Sequence, residues 1–301
     1  MTQDFTTRYI AARQAVIARR YARMNPSQRQ AVLATEGPLL LLAGAGSGKT
    51  TVLINRVDNL LTFGRGSDCR EVPEWAGEED LLFLESFPER PEPEDWQRAR
   101  RLCAVEPAAP WSVIAITFTN KAAGELKERL ERMCGPAAKD IWAATFHSAC
   151  IRILRRDIQR LDLGFTSSFT IYDSEDSKRV IRDIVKDMSL DEKDFAPRSV
   201  LSIISNAKDK DQGPDRFAQE AAASKDWRMP RIVEIYSGYQ RRLREANALD
   251  FDDIIFHTVH LLQKDEEVRD YYQKKFRYVL VDEYQDTNHL QYLLARLLAG
   301  G

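Results

Sequence analysis

Ala43-Gly44-Ala45-Gly46-Ser47-Gly48-Lys49-Thr50-Thr51 is the stretch on which the reading of this 301-residue chain turns. It follows Pro38-Leu39-Leu40-Leu41-Leu42, a short aliphatic run ending in glycines, which predicts a strand buried on both faces. A helix is expected to open at Lys49 and run to about Leu61. Strand, glycine-rich loop and helix in that order make a phosphate cradle. The glycines let backbone N–H groups close on an anion, and the helix N-terminus adds positive potential. Lys49 is placed to reach β- and γ-phosphates and the Thr50 hydroxyl to bind Mg²⁺, so residues Ala43 to Thr51 are the candidate ATP-binding loop. The usual pattern opens with glycine where this chain has Ala43, while the Gly48-Lys49-Thr50 end is intact.

Outward from the loop, strands and helices alternate. Ser112–Thr117, Ile141–Phe146 and Phe276–Glu283 read as strands. Asn25-Pro26 reads as the start of a helix, with Asn25 as cap and Pro26 at the first position. Lys121–Met133 and Ala149–Leu161 carry apolar residues at helical spacing. From Ser174 to about Arg244 the pattern is helical and polar, with no strand of note. The expected class is therefore α/β: a doubly wound parallel sheet with an inserted all-helical domain. Residues 1–150 and 246–301 would form the core and 151–245 the helical domain.

The bulk composition is that of an ordinary globular protein, with 44% hydrophobic and 30% charged residues, which excludes a disordered or fibrous chain. The net charge of -2 neither favours nor excludes nucleic acid, but charge is unevenly spread. Residues 64–110 hold 12 acidic side chains against 6 basic and half of the 12 prolines, leaving a mildly basic remainder. That segment reads as an inserted, partly mobile surface stretch whose acidity would repel DNA phosphates. The four cysteines show no Cys-x-x-Cys spacing and no accompanying histidines, so neither zinc nor a disulfide framework is expected. The N-terminus lacks a signal-peptide pattern and no aliphatic run approaches bilayer length, which points to a cytoplasmic protein with no membrane partner.

Asp282-Glu283 closes the strand around Tyr278–Val281. In a phosphate-loop fold the first acid holds Mg²⁺, and a neighbouring glutamate can take a proton from an attacking water. Alone, two acids at a strand end are as often a solvated end; beside the Lys49 loop they become catalytic candidates. The continuation, Asp282-Glu-Tyr-Gln-Asp-Thr-Asn288, resembles motif II of the UvrD/Rep/PcrA group of superfamily 1 DNA helicases, and generic acid-terminated strands do not share its Tyr-Gln-Asp-Thr-Asn tail. Other segments resemble that family in its own order: Asn25-Pro-Ser-Gln28, Ile116-Thr-Phe-Thr-Asn-Lys-Ala-Ala123, Thr145-Phe-His-Ser148 and Leu249-Asp-Phe-Asp-Asp253.

The resemblance implies a RecA-like P-loop NTPase core, ATP and Mg²⁺ as cofactors, and single-stranded DNA and single-strand/duplex junctions as partners. It implies that Gln28 reads the adenine edge and that Gln285 senses the γ-phosphate or couples it to DNA. It assigns Phe118, Thr119, Asn120, Lys121, Phe146 and His147 to DNA contact. Aromatics just past strand ends can stack on bases, and the polar residues can hold phosphates. Core packing is the competing reading for both phenylalanines. Arg152, Arg155, Arg156 and Arg160 read first as a solvated helix face, and Asp252 and Asp253 as capping residues at a domain junction.

Two departures from the family stand out: the 64–110 insertion, and a chain that ends 13 residues after Asn288, before the family's later motifs. The resemblance thus implies the front part of a 3′-to-5′ helicase or translocase, inactive alone. The rivals are a nucleotide-dependent DNA-binding module without unwinding activity and a different P-loop enzyme such as a small-molecule kinase. The 233-residue separation of Lys49 and Asp282 speaks against the kinase.

Overall fold

The computed structural model describes residues 3–44 and 46–300. The chain is a mixed α/β protein that divides into two compact units, one of Met1–Ala115 with Thr119–Ala143 and one of Ile116–Phe118 with Ala144–Gly301.

The first unit holds α1 (Gln3–Arg20), α2 (Pro26–Leu33), α3 (Lys49–Phe63), α4 (Glu78–Glu85) and α5 (Pro93–Cys103). Strand β1 (Val113–Thr117) follows, its last two residues counted with the second unit, then α6 (Asn120–Cys134) and β2 (Trp142–Thr145), of which Ala144 and Thr145 belong to the second unit. Helix α2 begins as its sequence predicts: the Asn25 side chain accepts from Gln28 N–H, the Gln28 side chain accepts from Asn25 N–H, and Pro26 takes the first position. Helix α3 ends at Gly64, whose φ of +57° and approach to Val105, with 2.1 Å left for a Cβ, require glycine.

Two expectations fail here. Leu39–Leu42 is not a strand but irregular and exposed, Leu42 to 87%. An apolar run shows that residues gain from burial, whereas a strand also needs a neighbour to pair with, and the three-stranded sheet that forms consists of other segments. Nor is 64–110 a loose surface stretch. Its helices α4 and α5 place Leu81, Leu84, Ala99, Leu102 and Cys103, with Phe87 from the link between them, in one core with Phe5, Tyr9, Val16 and Ile17 of α1. The acids Glu78, Glu79 and Asp80, and again Glu94 and Asp95, occupy the first turns of those helices, where they complement the helix dipole. The tyrosine hydroxyl of Tyr9 donates to Leu102 O at 2.9 Å, and Arg8 grips Glu85 through two hydrogen bonds of 2.9 and 2.8 Å.

The second unit contains α7 (Phe146–Asp157), β3 (Thr170–Ile171), α8 (Ser174–Asp187), α9 (Pro197–Asp209), α10 (Pro214–Ala221) and α11 (Met229–Glu245). These are followed by β4 (Ala248–Leu249), α12 (Phe251–Lys264), α13 (Glu266–Lys275), β5 (Tyr278–Val281) and α14 (His289–Ala299). The larger sheet runs β2-β1-β5, and β3 pairs with β4 in parallel. Helices α8, α9 and α11 share a core around Ile181, Ile204, Ile235, Tyr236 and Tyr239. Helix α12 is the most enclosed element of this unit, with Ile254, Val259, Leu261 and Leu262 fully buried, and it packs against α7, α13 and α14. No described helix is long and apolar enough to cross a membrane.

Candidate functional site

In the first unit the glycine loop opens α3 as expected. Gly46 (φ +74°) and Gly48 (φ +83°) take left-handed conformations that other residues adopt only with strain, and Gly48 is the residue immediately before the helix. The Lys49 ammonium donates to Ala43 O at 2.8 Å and Gly44 O at 3.0 Å, which centres its charge on the loop. Gln28 reaches the same loop: its Nε2 donates to Ser47 O at 2.8 Å. The capping box of α2 therefore also braces the loop. Thr50 and Thr51 sit in the first turn of α3, and Thr51 Oγ1 accepts from Arg129 Nη2 of α6 at 3.1 Å, a contact that sequence spacing did not suggest. Ala45, assigned to the loop by its motif, lies outside the described residues. Thr119 caps α6 by accepting from Ala122 N–H at 3.1 Å, and Asn120 and Lys121 stand exposed in that helix's first turn.

In the second unit Asp282 directly follows Val281, the last residue of β5. Its N–H donates to Ile116 O at 2.8 Å, and its Oδ1 accepts from Glu283 N–H. Glu283 has φ +53°, a left-handed conformation that costs a non-glycine residue about 1–3 kcal/mol, and its side chain is exposed. A single 3₁₀ turn follows over Tyr284–Asp286, with Gln285 exposed and bonded to Asp286 at 3.1 Å. Asn288 then caps α14.

The residues expected to touch DNA fare differently. Phe118 is half-buried and meets Phe146 edge-on, ring centroids 5.5 Å apart. Phe146 is 1% exposed at the start of α7, so core packing is its role in this conformation and its ring offers no open face to a base. His147 is half-buried, with its ring 5.7 Å from that of Phe251. Burial pulls its pKa below the ordinary histidine value.

The arginines of α7 and of the 3₁₀ turn that follows it at Ile158–Leu161 are engaged rather than merely solvated. Arg155 lies 3.8 Å from the Phe169 ring centroid and Arg156 3.6 Å from that of Tyr271, while Arg160 pairs with Asp265 and Glu267. Asp253 belongs to the capping box of α12, as the bland reading of this acidic pair had it, but its partner in the box is Asp250. Sequence reasoning missed the centre of that region. Lys208, fully buried, lies 2.7 Å from Asp250 and 2.8 Å from Asp253, and Tyr239 donates to Asp250 at 2.9 Å. A lysine in a polar helical stretch gives no sign of such burial.

Comparison with known proteins gives the family. The family model described as UvrD/REP helicase N-terminal domain matches residues 24–68 and 96–301, passing over the segment that contains α4. The chain is 42% identical over 276 residues to the ATP-dependent DNA helicase PcrA of Bacillus subtilis (strain 168), and 43% and 42% identical over the same length to proteins of that name from Staphylococcus aureus (strain Mu50) and Staphylococcus epidermidis. Each comparison covers 92% of this chain but 31% of the relative, so the chain spans about a third of the length of these relatives. A match that runs through the glycine loop, β1, β2, the buried lysine and β5 leaves no ambiguity of kinship: the chain belongs to the UvrD/REP helicase N-terminal domain family.

Proposed function

We propose that this chain is the nucleotide-binding front part of an ATP-dependent DNA helicase that couples ATP hydrolysis to 3′-to-5′ movement on single-stranded DNA, engaging single-strand/duplex junctions in the cytoplasm. The observation that carries the reading is the Lys49 loop, with its two left-handed glycines ahead of α3 and its brace from Gln28. The loop N–H groups from Gly44 to Thr51 cradle the phosphates, Lys49 neutralises them, and Gln28 recognises the adenine edge. Thr50 and Asp282 offer a hydroxyl and a carboxylate, the hard oxygen donors that Mg²⁺ takes beside water and phosphate oxygens. Mg²⁺ would offset charge developing on the transferred phosphoryl group. Glu283 accepts the proton of the attacking water, and Gln285 relates the nucleotide to the DNA. Phe118 stacks on a base, and Thr119, Asn120, Lys121 and His147 hold the strand. Residues 1–150 with 246–301 serve as the ATP-binding core and 151–245 as a helical accessory domain. Because the relatives extend well beyond the matched stretch, this chain alone turns ATP over negligibly.

The test is ATP turnover by this chain and by the full-length gene product, each with and without a single-stranded oligonucleotide, alongside Lys49→Ala. DNA-stimulated turnover in the full-length product, lost by at least about 10²-fold in Lys49→Ala, is expected. DNA binding without any Lys49-dependent turnover would overturn the motor reading in favour of a passive module.

A further inference from the structure

The loop that follows β5 is fixed at both ends. At its start, Asp282 N–H donates to Ile116 O at 2.8 Å. At its far end, Thr287 Oγ1 donates to Tyr284 O at 2.8 Å, and Asn288 makes three bonds with different parts of its structure. Its backbone N–H donates to Gln291 Oε1 at 3.0 Å and its Oδ1 accepts from Gln291 N–H at 2.9 Å, completing the capping box of α14. Its Nδ2 donates to Asp209 Oδ1 at 2.8 Å, 79 residues earlier in the chain.

Asp209 is poorly placed by local rules. It is the last residue of α9, where the helix dipole disfavours a carboxylate, so the helix itself gains nothing from it. It does, however, follow Lys208, which is locked between Asp250 and Asp253 at the start of α12. The acceptor for Asn288 therefore stands on a rigid buried ion cluster and not on a free helix end. The choice at 288 is equally telling. Asparagine and aspartate cap helices about equally well, but only asparagine carries an N–H donor for a neighbouring carboxylate.

We propose that Asp209 and Asn288 are positioning residues for the Asp282–Asp286 loop: a clamp, anchored through Lys208, that holds the strained Glu283 and exposed Gln285 in register. The proposal rests on the functional reading above for what that loop does, but the clamp itself is a statement about the loop's order. Neither residue touches nucleotide. Each acts through the backbone that carries Asp282 and Glu283.

The test uses Asn288→Asp, Asp209→Asn and the double variant in the full-length gene product. Asn288→Asp keeps the helix cap but sets two carboxylates against each other. The double variant returns one donor and one acceptor to the pair with their roles exchanged. Amide exchange over residues 283–287 is expected to quicken about tenfold in Asn288→Asp and to return in the double variant. The kcat for DNA-stimulated ATP hydrolysis is expected to fall about tenfold with the KM for ATP changed less than about twofold, and likewise to return. Unchanged exchange in Asn288→Asp, or loosening that the double variant leaves in place, would overturn the clamp. Loosened exchange with unaltered kcat would overturn its positioning role. Turnover that survives Lys49→Ala would instead sink the functional reading, and the exchange arm would still decide the clamp.

Discussion

Arg13 in the first unit and Lys208 in the second are both completely buried cations, and the chain accommodates them in opposite ways. Lys208 is set between two carboxylates, Asp250 and Asp253. Burial works against its charge, but the two acids outweigh that and hold the ammonium well above the ordinary lysine value. Arg13 has no carboxylate partner among the described residues. Its Nη1 donates to Glu71 O at 2.5 Å and its Nη2 to Cys69 O, its Nε has no partner, and burial draws its pKa below the usual arginine range. The difference follows the family boundary. Lys208 and both its acids lie within the stretch matched by the family model, whereas Arg13, Glu71 and Cys69 lie outside it. A cation held by side chains depends on the identity of each partner. A cation held by backbone carbonyls depends only on the path of the partner segment, a tolerant way to join an N-terminal helix to an inserted segment.

The sharpest way to break this comparison is to remove each cation with a side chain of similar bulk. Lys208→Met leaves Asp250 and Asp253 buried without a counter-charge, a change that destabilises typical proteins by about 3–5 kcal/mol. Urea unfolding at neutral pH should show a loss of that size, and it should shrink in acid as Asp250, whose carboxyl is already pushed up by burial, takes up a proton. A loss below about 1 kcal/mol would mean that the cluster is not an anchor.

Arg13→Met should cost less, about 1–3 kcal/mol, because the groups it strands are neutral carbonyls and the substitution also abolishes a buried charge. The loss should appear as faster amide exchange across α1, α4 and α5, which share one core in the first unit. If Arg13→Met proved more damaging than Lys208→Met, the distinction between carboxylate-held and carbonyl-held cations would carry no energetic meaning.

The same contrast explains what could be read from residues alone. Local signals survived intact: the cap at Asn25, the glycine loop opening α3, the strands β1, β2 and β5, and the helix at Asn120–Cys134 all stand where spacing and turn chemistry put them. Tertiary facts did not. Leu39–Leu42 has the composition of a buried strand, but composition cannot state whether a pairing neighbour exists. The acids and prolines of 64–110 suggested mobility, yet Glu78–Asp80 and Pro93–Asp95 are helix-start chemistry, and Leu81, Leu84, Phe87 and Leu102 supplied an apolar face that the charge count obscured. Phe146 could be assigned to a base or to the core only once its neighbours were known. Lys208 meets Asp250 across 42 residues and Asp209 meets Asn288 across 79, separations at which no periodicity operates.

The smallest expected effect at neutral pH, and the finest probe of the Lys208 cluster, comes from His257. Its ring is buried, neither nitrogen has a hydrogen-bond partner, and its Nε2 lies 3.6 Å from Asp253. Burial first, and the nearby Lys208 ammonium second, lower its pKa to about 3. The folded chain therefore holds a neutral imidazole, while the unfolded chain takes up a proton near the ordinary value of 6.5. Between those limits the unfolded state binds more protons, so this contribution to stability is complete above pH 6.5 and drains away as pH falls toward 3. His257→Leu should unfold within about 1 kcal/mol of the parent at pH 7.5, since it exchanges one buried ring for an apolar side chain of similar size. As pH drops to 5, the variant should lose stability less steeply, by up to about 1.4 kcal/mol per pH unit. Stability curves that run parallel from pH 7.5 to 5 would show that His257 is not held neutral. Repeating the titration in Lys208→Met separates the two causes. Removing the ammonium should raise the folded pKa of His257 and flatten the acid limb part of the way, whereas a limb that does not move would assign the whole depression to burial.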